Sequence, residues 1–110
     1  MTDLRTKRCV PCEGGVPPLD AEGIERLLAS VPAWSLGEAG GVILRRFSFQ
    51  DFHHTMEFVN AVAWIAHRED HHPDLVVSWG ACEVRYTTHA AGGLTENDFI
   101  CAAKVDALLE

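Results

Sequence analysis

The sequence predicts an α+β domain, a four-stranded antiparallel sheet covered by three helices in the order α-β-β-α-β-β-α. Apolar residues recur every three to four positions in three stretches and at alternate positions in the shorter stretches between them. Glycine-containing turns join the strands in pairs, as in antiparallel sheets. The 110 residues contain no repeat and no linker. We therefore predict an irregular arm over residues 1–18 and a single domain over residues 19–110.

The first helix is predicted to begin after Asp20, which is a suitable N-cap, and to end at Pro32. Apolar residues between positions 24 and 31 follow the i, i+3, i+4, i+7 pattern of one buried stripe. Two strands follow, around residues 34–36 and 42–49, with a glycine-rich turn between them.

A longer helix is predicted from about residue 50 to residue 69. Its apolar surface is wide enough to pack on a sheet and also against a partner. Together with the last helix it leaves more apolar area than a monomer of this size can cover, so we predict a homodimer or homotetramer. The predicted stripe consists of Phe52, Met56, Val59, Ala63 and Ala66, and it is widened by Phe58, Val62 and Ile65.

Residues 75–79 and 82–88 are predicted to be two strands of a hairpin that turns at Gly80. The last helix is predicted to begin after Thr95, with Asp98 at the third helical position of a capping box. Alternation in the second strand predicts one face formed by Cys82, Val84, Tyr86 and Thr88.

The run from His67 to Pro73 carries the most chemistry in the sequence, because it places His71 and His72 side by side. Proline pushes the residue before it out of the helical region, so this pair is expected at a helix-to-strand junction. Neighbouring side chains on an extended segment point in opposite directions, which makes the pair a poor choice for filling a core. Imidazoles exchange protons near neutral pH, so this pair and His89 are candidates for acid–base catalysis.

Asp98 has two candidate roles. It can complete the capping box of the last helix, and near His89 it could orient an imidazole as the acid of a catalytic triad does. The two roles can coexist.

The other histidines have plainer interpretations. His53 and His54 are expected on the surface of the long helix. His67 and His71 are four residues apart and could form half of a metal site. Because no further ligand pattern accompanies them, we predict neither a metal nor another cofactor.

Four cysteines are present, and Cys9 and Cys12 form a C-x-x-C motif. A zinc site would need a second ligand pair at similar spacing, which Cys82 and Cys101 do not supply. A redox motif of this kind is expected near a βαβ unit, whereas a Gly/Pro-rich segment follows here. We interpret the motif as part of a flexible or peripheral segment that takes no part in catalysis.

The net charge of −7 leaves no basic stripe for phosphates, so no nucleic-acid partner is predicted. No apolar run approaches the roughly 20 residues that span a bilayer, so no membrane association is predicted. No apolar signal segment follows the first residues, and we expect a cytoplasmic protein.

One spacing resembles the signature of the pterin-4a-carbinolamine dehydratases: His67-x3-His71-His72-Pro73-x5-Trp79-x9-His89-x8-Asp98. The resemblance covers nearly the whole chain, from about Pro11 to Leu109. It implies helices packed on one face of the sheet and assembly into dimers or dimers of dimers. It also implies dehydration of 4a-hydroxytetrahydrobiopterin to quinonoid dihydropterin, a step of tetrahydrobiopterin recycling.

Residue roles follow from the same resemblance. His71 and His89 match general acids or bases, His72 matches a residue that holds the pterin, and Asp98 belongs to the catalytic set. The substrate-binding positions that the resemblance implies are Asp70, His72, Pro73, Thr87, Thr88, Ala90 and Trp79.

Three positions depart from relatives of this family. His67 stands where some relatives carry a glutamate, and Leu75 and Ala91 replace an aromatic residue and a cysteine of animal members. Two other functions are compatible with the chain: a non-enzymatic dimerisation or regulatory module on the same scaffold, and a small histidine-based metal-binding protein.

Overall fold

A computed structural model describes residues 3–11 and 16–110. Its element order matches the prediction, with three helices and a four-stranded antiparallel sheet. Short 3₁₀ turns lie at Leu4–Thr6, Glu38–Gly40 and His89–Ala91. The helices and strands, in chain order, are α1 (Ala21–Leu28), β1 (Ser35–Leu36), β2 (Ile43–Ser48), α2 (Phe52–Glu69), β3 (Asp74–Ser78), β4 (Ala81–Tyr86) and α3 (Glu96–Ala107).

The four strands lie in the order β1-β2-β4-β3, and every neighbouring pair is antiparallel. The central strand β4 pairs with β2 on one side, where Ile43 faces Tyr86, and with β3 on the other, where Leu75 faces Val84. The strand that the sequence predicts to extend to Thr88 ends at Tyr86, and Thr88 forms an isolated bridge with Gly93 instead.

The alternation predicted for β4 is confirmed, because Cys82, Val84, Tyr86 and Thr88 are all buried. Opposite them on β2, Ile43 and Phe47 are buried on the same face, and the helices cover this face with apolar side chains. The removal of these apolar side chains from water is the main source of stability in a domain of about 100 residues. The helix residues at the centre of the core include Phe58, Val62, Phe99 and Ile100.

The apolar surface predicted for α2 is confirmed in part, because Phe58, Val62 and Ala66 are buried, but its centre is misplaced. Phe52 is 46% exposed and Ala63 is exposed, whereas the buried residues of the helix are Thr55, Phe58, Val62, Ala66 and Glu69. At 100° per residue, the buried stripe is turned by roughly 80° from the narrower predicted stripe, towards the residues that were predicted to widen it. Apolar periodicity gives no weight to the two polar residues in this stripe, and both have partners that allow their burial.

Thr55 shows how a polar residue can lie on the buried side of α2. Its hydroxyl donates to the carbonyl oxygens of Asp51, at 2.9 Å, and Trp79, at 3.0 Å. Because the hydroxyl keeps its hydrogen bonds, its burial avoids the free-energy cost of an unpaired polar group.

No helix within residues 3–11 and 16–110 is long and apolar enough to cross a membrane.

The arm lies against α3 and is less peripheral than the sequence suggests. Leu4 is 5% exposed and belongs to the core. The arm is also tied to α3 by Lys7, which donates to Glu96 at 2.7 Å, and by Lys104, which donates to the Arg5 carbonyl at 2.9 Å. Residues 12–15, with Cys12, lie outside the described residues.

Candidate active site

The site lies where α2 ends, β4 ends and α3 begins. Helix α2 ends at Asp70, a non-glycine residue in the left-handed conformation, at φ 53° and ψ 43°. Asparagine and aspartate adopt this conformation more readily than most residues, and it is a common way to end a helix. The amides of Asp70 and His71 both donate to the carbonyl of Ala66. This turn brings His71 to the start of α3, where it contacts Asp98.

His71 and Asp98 form the central pair of the site. The distance from His71 Nε2 to Asp98 Oδ1 is 2.6 Å, and the Asp98 side chain is fully buried. The second carboxylate oxygen, Oδ2, accepts hydrogen bonds from the Thr88 hydroxyl at 2.8 Å and the Thr95 amide at 2.9 Å. Three donors therefore fix the orientation of this carboxylate.

A carboxylate only accepts hydrogen bonds, so its partner nitrogen Nε2 carries a hydrogen. In the neutral imidazole this leaves Nδ1 of His71 as the nitrogen that can accept a proton. The ring also stacks in parallel on Tyr86, with centroids 5.7 Å apart and planes at 7°. Asp98 and Tyr86 thus hold the imidazole at one edge and on one face.

The two adjacent histidines differ in burial, as expected for neighbours on an extended segment. The His71 side chain is 11% exposed, whereas that of His72 is 74% exposed. His72 Nε2 lies 4.0 Å from Asp70 Oδ1, and the Asp70 side chain is almost fully exposed. His72 and Asp70 therefore lie at the mouth of the site, in reach of a ligand from solvent.

The segment after β4 supplies the facing wall. In this segment Thr88 is buried. His89 is exposed and begins the 3₁₀ turn His89–Ala91. The Thr87 hydroxyl donates to the carbonyl of Gly41, and this bond ties the wall to the turn before β2.

These segments enclose a cleft of about 640 Å³. It brings together seven of the sequence-predicted residues, while Asp98 lies behind it in contact with His71. Pro73 and Trp79 are not among its lining residues. Trp79 is 67% exposed in the turn between β3 and β4, so its substrate-binding role stays a prediction. The predicted residues that line the cleft are Asp70, His71, His72, Thr87, Thr88, His89 and Ala90.

The sequence reasoning missed the contribution of the arm, whose residues 9–11 form another wall of the cleft. Asn97 holds this segment with two hydrogen bonds: its side-chain amide donates to the Val10 carbonyl at 2.7 Å and accepts from the Val10 amide at 3.0 Å. Asn97 is 4% exposed and directly precedes Asp98. The one feature of the sequence that could have indicated this contact is an asparagine directly before the capping aspartate.

Glu69 is the second residue that anchors the arm. Its Oε1 accepts the Cys9 amide at 2.8 Å, and its Oε2 lies 3.2 Å from Arg8 Nε and 3.8 Å from Lys104 Nζ. Burial opposes the charged form, but the Cys9 amide, Lys104 and Arg8 together outweigh burial and lower the pKa of the Glu69 carboxyl.

The remaining histidines lie away from this cleft. His67 is exposed and stacks on Trp64, with centroids 5.7 Å apart. The surface positions predicted for His53 and His54 are confirmed. His54 Nδ1 lies 2.7 Å from Asp51, and this carboxylate raises the pKa of the imidazole. Within the described part of the chain, no three histidine, cysteine or acidic side chains converge as a metal site would need.

The model of the family described as pterin 4 alpha carbinolamine dehydratase matches residues 17–108. The chain belongs to this family. A relative from Nitrosospira multiformis that carries the family name is 56% identical over 108 residues, which is 98% of this chain and 94% of the relative. A relative from Nitrosomonas eutropha with the same family name is 59% identical, over 97% of this chain and 94% of its own length. The protein is therefore a dehydratase, an enzyme of the hydro-lyase class.

Solved structures agree with the fold of this dehydratase. A transcriptional coactivator/pterin dehydratase from Brucella melitensis has a TM-score of 0.80 and 28% identity, over 84% of this chain and 99% of the other. A pterin dehydratase-like protein described as a RuBisCO assembly factor of the alpha-carboxysome has a TM-score of 0.60 at 23% identity, over 69% and 88% of the two chains. The second likeness concerns the fold alone.

Proposed function

We propose that this dehydratase converts 4a-hydroxytetrahydrobiopterin to quinonoid dihydropterin by histidine acid–base catalysis, as a step of tetrahydrobiopterin recycling. The observation that carries the proposal is the His71–Asp98 pair, 2.6 Å apart, at the wall of a cleft that His72 and His89 also line. Family membership supplies the substrate class.

The reaction requires two proton movements. The bond between C4a and the hydroxyl oxygen breaks, and the oxygen leaves with its electron pair as water once it has gained a proton. The N5–H bond gives up its proton, and its electrons form the new N5=C4a double bond. Neither electrons nor oxygen are exchanged with another reactant. Two positioned imidazoles suit such a step, and each typically accelerates it by roughly 10² to 10⁴.

The residues can be given distinct roles. His71 is oriented by Asp98 and Tyr86, so it serves as one general acid or base. His89 lines the same cleft from the segment after β4 and serves as the other. His72 is exposed at the mouth, where it holds the pterin ring together with Asp70.

We further propose that the protein is a cytoplasmic homodimer or homotetramer whose small-molecule partner is the pterin. The exposed apolar residues on α2, including Phe52 at 46% and Trp64 at 61%, support the association of copies. The net charge of −7 supports the absence of a nucleic-acid partner.

The deciding experiment is a stopped-flow assay of 4a-carbinolamine breakdown with and without the protein, in the presence and absence of a strong chelator. We expect the protein to accelerate the breakdown equally with and without chelator, because the proposed step requires proton transfer. No acceleration would favour a regulatory module on the same scaffold. Activity that is lost with chelator and restored only by added metal would favour a metal-dependent site.

A further inference from the structure

Two thiols lie in contact beside the cleft. Cys9, in the arm, and Cys101, on α3, are 92 residues apart in sequence, and their Sγ atoms are 3.6 Å apart. Cys9 is half-buried, whereas Cys101 is fully buried. The dehydration of a pterin uses no thiol, so the proposed mechanism leaves this pair without a role.

The contact depends on anchored backbone. The Cys9 amide donates to Glu69, and the next residue is clamped by Asn97 through two hydrogen bonds. The Cys9 thiol also lies 3.7 Å from the Asn97 carbonyl. The arm therefore presents Cys9 to α3 in one position. A disulfide needs its sulfurs about 2 Å apart. The two thiols thus need a further approach of under about 2 Å, which is within the reach of side-chain rotation.

We propose that Cys9 and Cys101 are a site of reversible disulfide formation that joins the arm covalently to α3. The oxidant would be a low-molecular-weight disulfide such as oxidised glutathione. The Cys9 sulfur, after losing its proton, attacks one glutathione sulfur and releases one reduced glutathione. The Cys101 sulfur, also deprotonated, then attacks Cys9 in the mixed disulfide and releases the second. Two protein thiols are oxidised and one glutathione disulfide is reduced to two thiols.

The order of attack follows from exposure, because only Cys9 has access to solvent. The neighbouring Cys101 thiol, burial and the Glu69 carboxylate raise the pKa of the Cys9 thiol. The thiol therefore stays protonated at neutral pH, and exchange is slow there. The site is consequently tested at equilibrium rather than by its rate.

The test uses the whole protein equilibrated in a series of reduced and oxidised glutathione mixtures with a chelator present. After the free thiols have been blocked, trypsin separates the cysteines into three peptides: residues 9–26, 69–85 and 86–104. We expect a linked pair of peptides 9–26 and 86–104, two hydrogens lighter than their sum. A bridge within peptide 9–26, or glutathione-bound Cys9 without a link, would overturn the proposal.

Three variants assign the link to its residues. Cys12→Ser removes the other thiol of peptide 9–26. It should still form the link, at the same ratio of reduced to oxidised glutathione at half-formation. Loss of the link in this variant would contradict the proposal. Cys101→Ser should abolish the link. Cys82→Ala removes the buried thiol of β4 and is the matched control, which should still form it.

Thermal unfolding gives a second readout. A bridge across 92 residues restricts the unfolded chain strongly, so the oxidised protein should have a Tm about 5 °C or more above the reduced protein. Reduction should reverse the shift, and Cys101→Ser should lack it. A lower Tm on oxidation would mean that the bridge distorts the arm, and it would count against this pairing.

Discussion

At the scale of single residues, Asp98 joins the fold to the site. Its Oδ2 accepts the Thr95 amide in the capping box of α3, while its Oδ1 contacts His71. The capping-box role predicted for Asp98 is confirmed, whereas the imidazole that it contacts is that of His71 and not, as the sequence predicted, that of His89. A residue with two such partners cannot change without affecting the start of the helix and the orientation of the imidazole together.

The first prediction concerns His71 and His89. If each serves as a proton donor or acceptor, His71→Ala and His89→Ala should each slow turnover by roughly 10- to 10³-fold, which corresponds to about 1.4 to 4 kcal/mol of barrier. The double variant should be much slower than either, because no alternative donor remains. Single-turnover kinetics measures this, with thermal unfolding as a check on folding. His72→Ala is the matched control at the mouth of the cleft, and it should raise KM more than it lowers kcat. Full activity of the double variant would refute acid–base catalysis by these residues.

The second prediction concerns Asp98→Asn. The amide offers one acceptor oxygen in place of two, so at least one of its three donors loses its partner. We expect a loss of about 1–3 kcal/mol in the free energy of unfolding and a fall of at least tenfold in kcat. Urea unfolding and turnover measure the two effects.

Asp20→Asn is the matched control, because Asp20 caps α1 away from the cleft and asparagine caps helices about as well as aspartate. It should change neither quantity appreciably. An Asp98→Asn variant with normal turnover would show that the orientation of His71 does not depend on the carboxylate.

The third prediction concerns the C-x-x-C motif in the reduced protein. The 2.8 Å hydrogen bond from Cys9 to Glu69 is donated by the backbone amide of Cys9, which serine retains. The double replacement of Cys9 and Cys12 by serine should therefore leave turnover within about twofold, which is well under 1 kcal/mol of barrier. A tenfold fall in folded protein, assayed with reductant present, would assign the thiols a part in the reaction.

At the scale of secondary-structure elements, the arm, α2 and α3 are held together by the residues beside the catalytic ones. Glu69 precedes Asp70 and anchors Cys9, and Asn97 precedes Asp98 and anchors Val10. The cleft wall that the arm forms therefore depends on the same helix ends that position His71.

The fourth prediction follows from the lowered pKa of Glu69, whose ordinary value is 4.5. A carboxyl with a depressed pKa in the folded state stabilises the fold above its unfolded pKa, and this contribution is lost as the pH falls through the folded value. Glu69→Gln should therefore lower the Tm at pH 7. The difference from the wild type should shrink progressively as the pH falls below about 4.5.

Thermal unfolding across this pH range measures the effect, with Glu25→Gln, an exposed position beyond the first turn of α1, as the control. A difference in Tm that is the same at pH 7 and well below pH 4 would contradict the assignment of the effect to the carboxylate charge.

The starts of the helices could be predicted from the sequence, whereas the buried face of α2 could be predicted only in part. Asp20 caps α1 and Thr95 begins α3 with the expected capping box, because these signals are local and involve residues three apart. Hydropathy predicted Phe58, Val62 and Ala66 in the buried face of α2, but it could not predict Thr55 and Glu69 there. Part of the hydrogen bonding of these two residues comes from distant groups, the Trp79 carbonyl and the arm.

At the scale of the whole molecule, the site is assembled from four separate parts of the sequence. The signature residues could be recognised along the chain, but their distances depend on the antiparallel pairing of β4 and on the docking of the arm on α3. The arm was missed because its Gly/Pro-rich sequence has no periodicity, and its attachment depends on Asn97 and Glu69 rather than on an apolar stripe.

The fifth prediction concerns assembly. Part of the apolar surface that the sequence predicted for α2 faces outward, with Phe52 and Ala63 exposed. We expect it to be covered by another copy, so light scattering at micromolar concentration should give the mass of a dimer or tetramer. Ala63→Glu should lower that mass, whereas Ala21→Glu, the same change on the exposed side of α1, should not. A monomeric wild-type protein would refute the prediction.

The hydrogen bond from the Thr95 amide to Asp98 makes one backbone proton a reporter of the site. This amide is buried, and its exchange with deuterated solvent requires that the capping box opens. The same carboxylate contacts His71 through its other oxygen. The exchange rate of this single amide therefore reports how often the helix start that carries the partner of His71 opens, and it does so without substrate, product or any change to the chain.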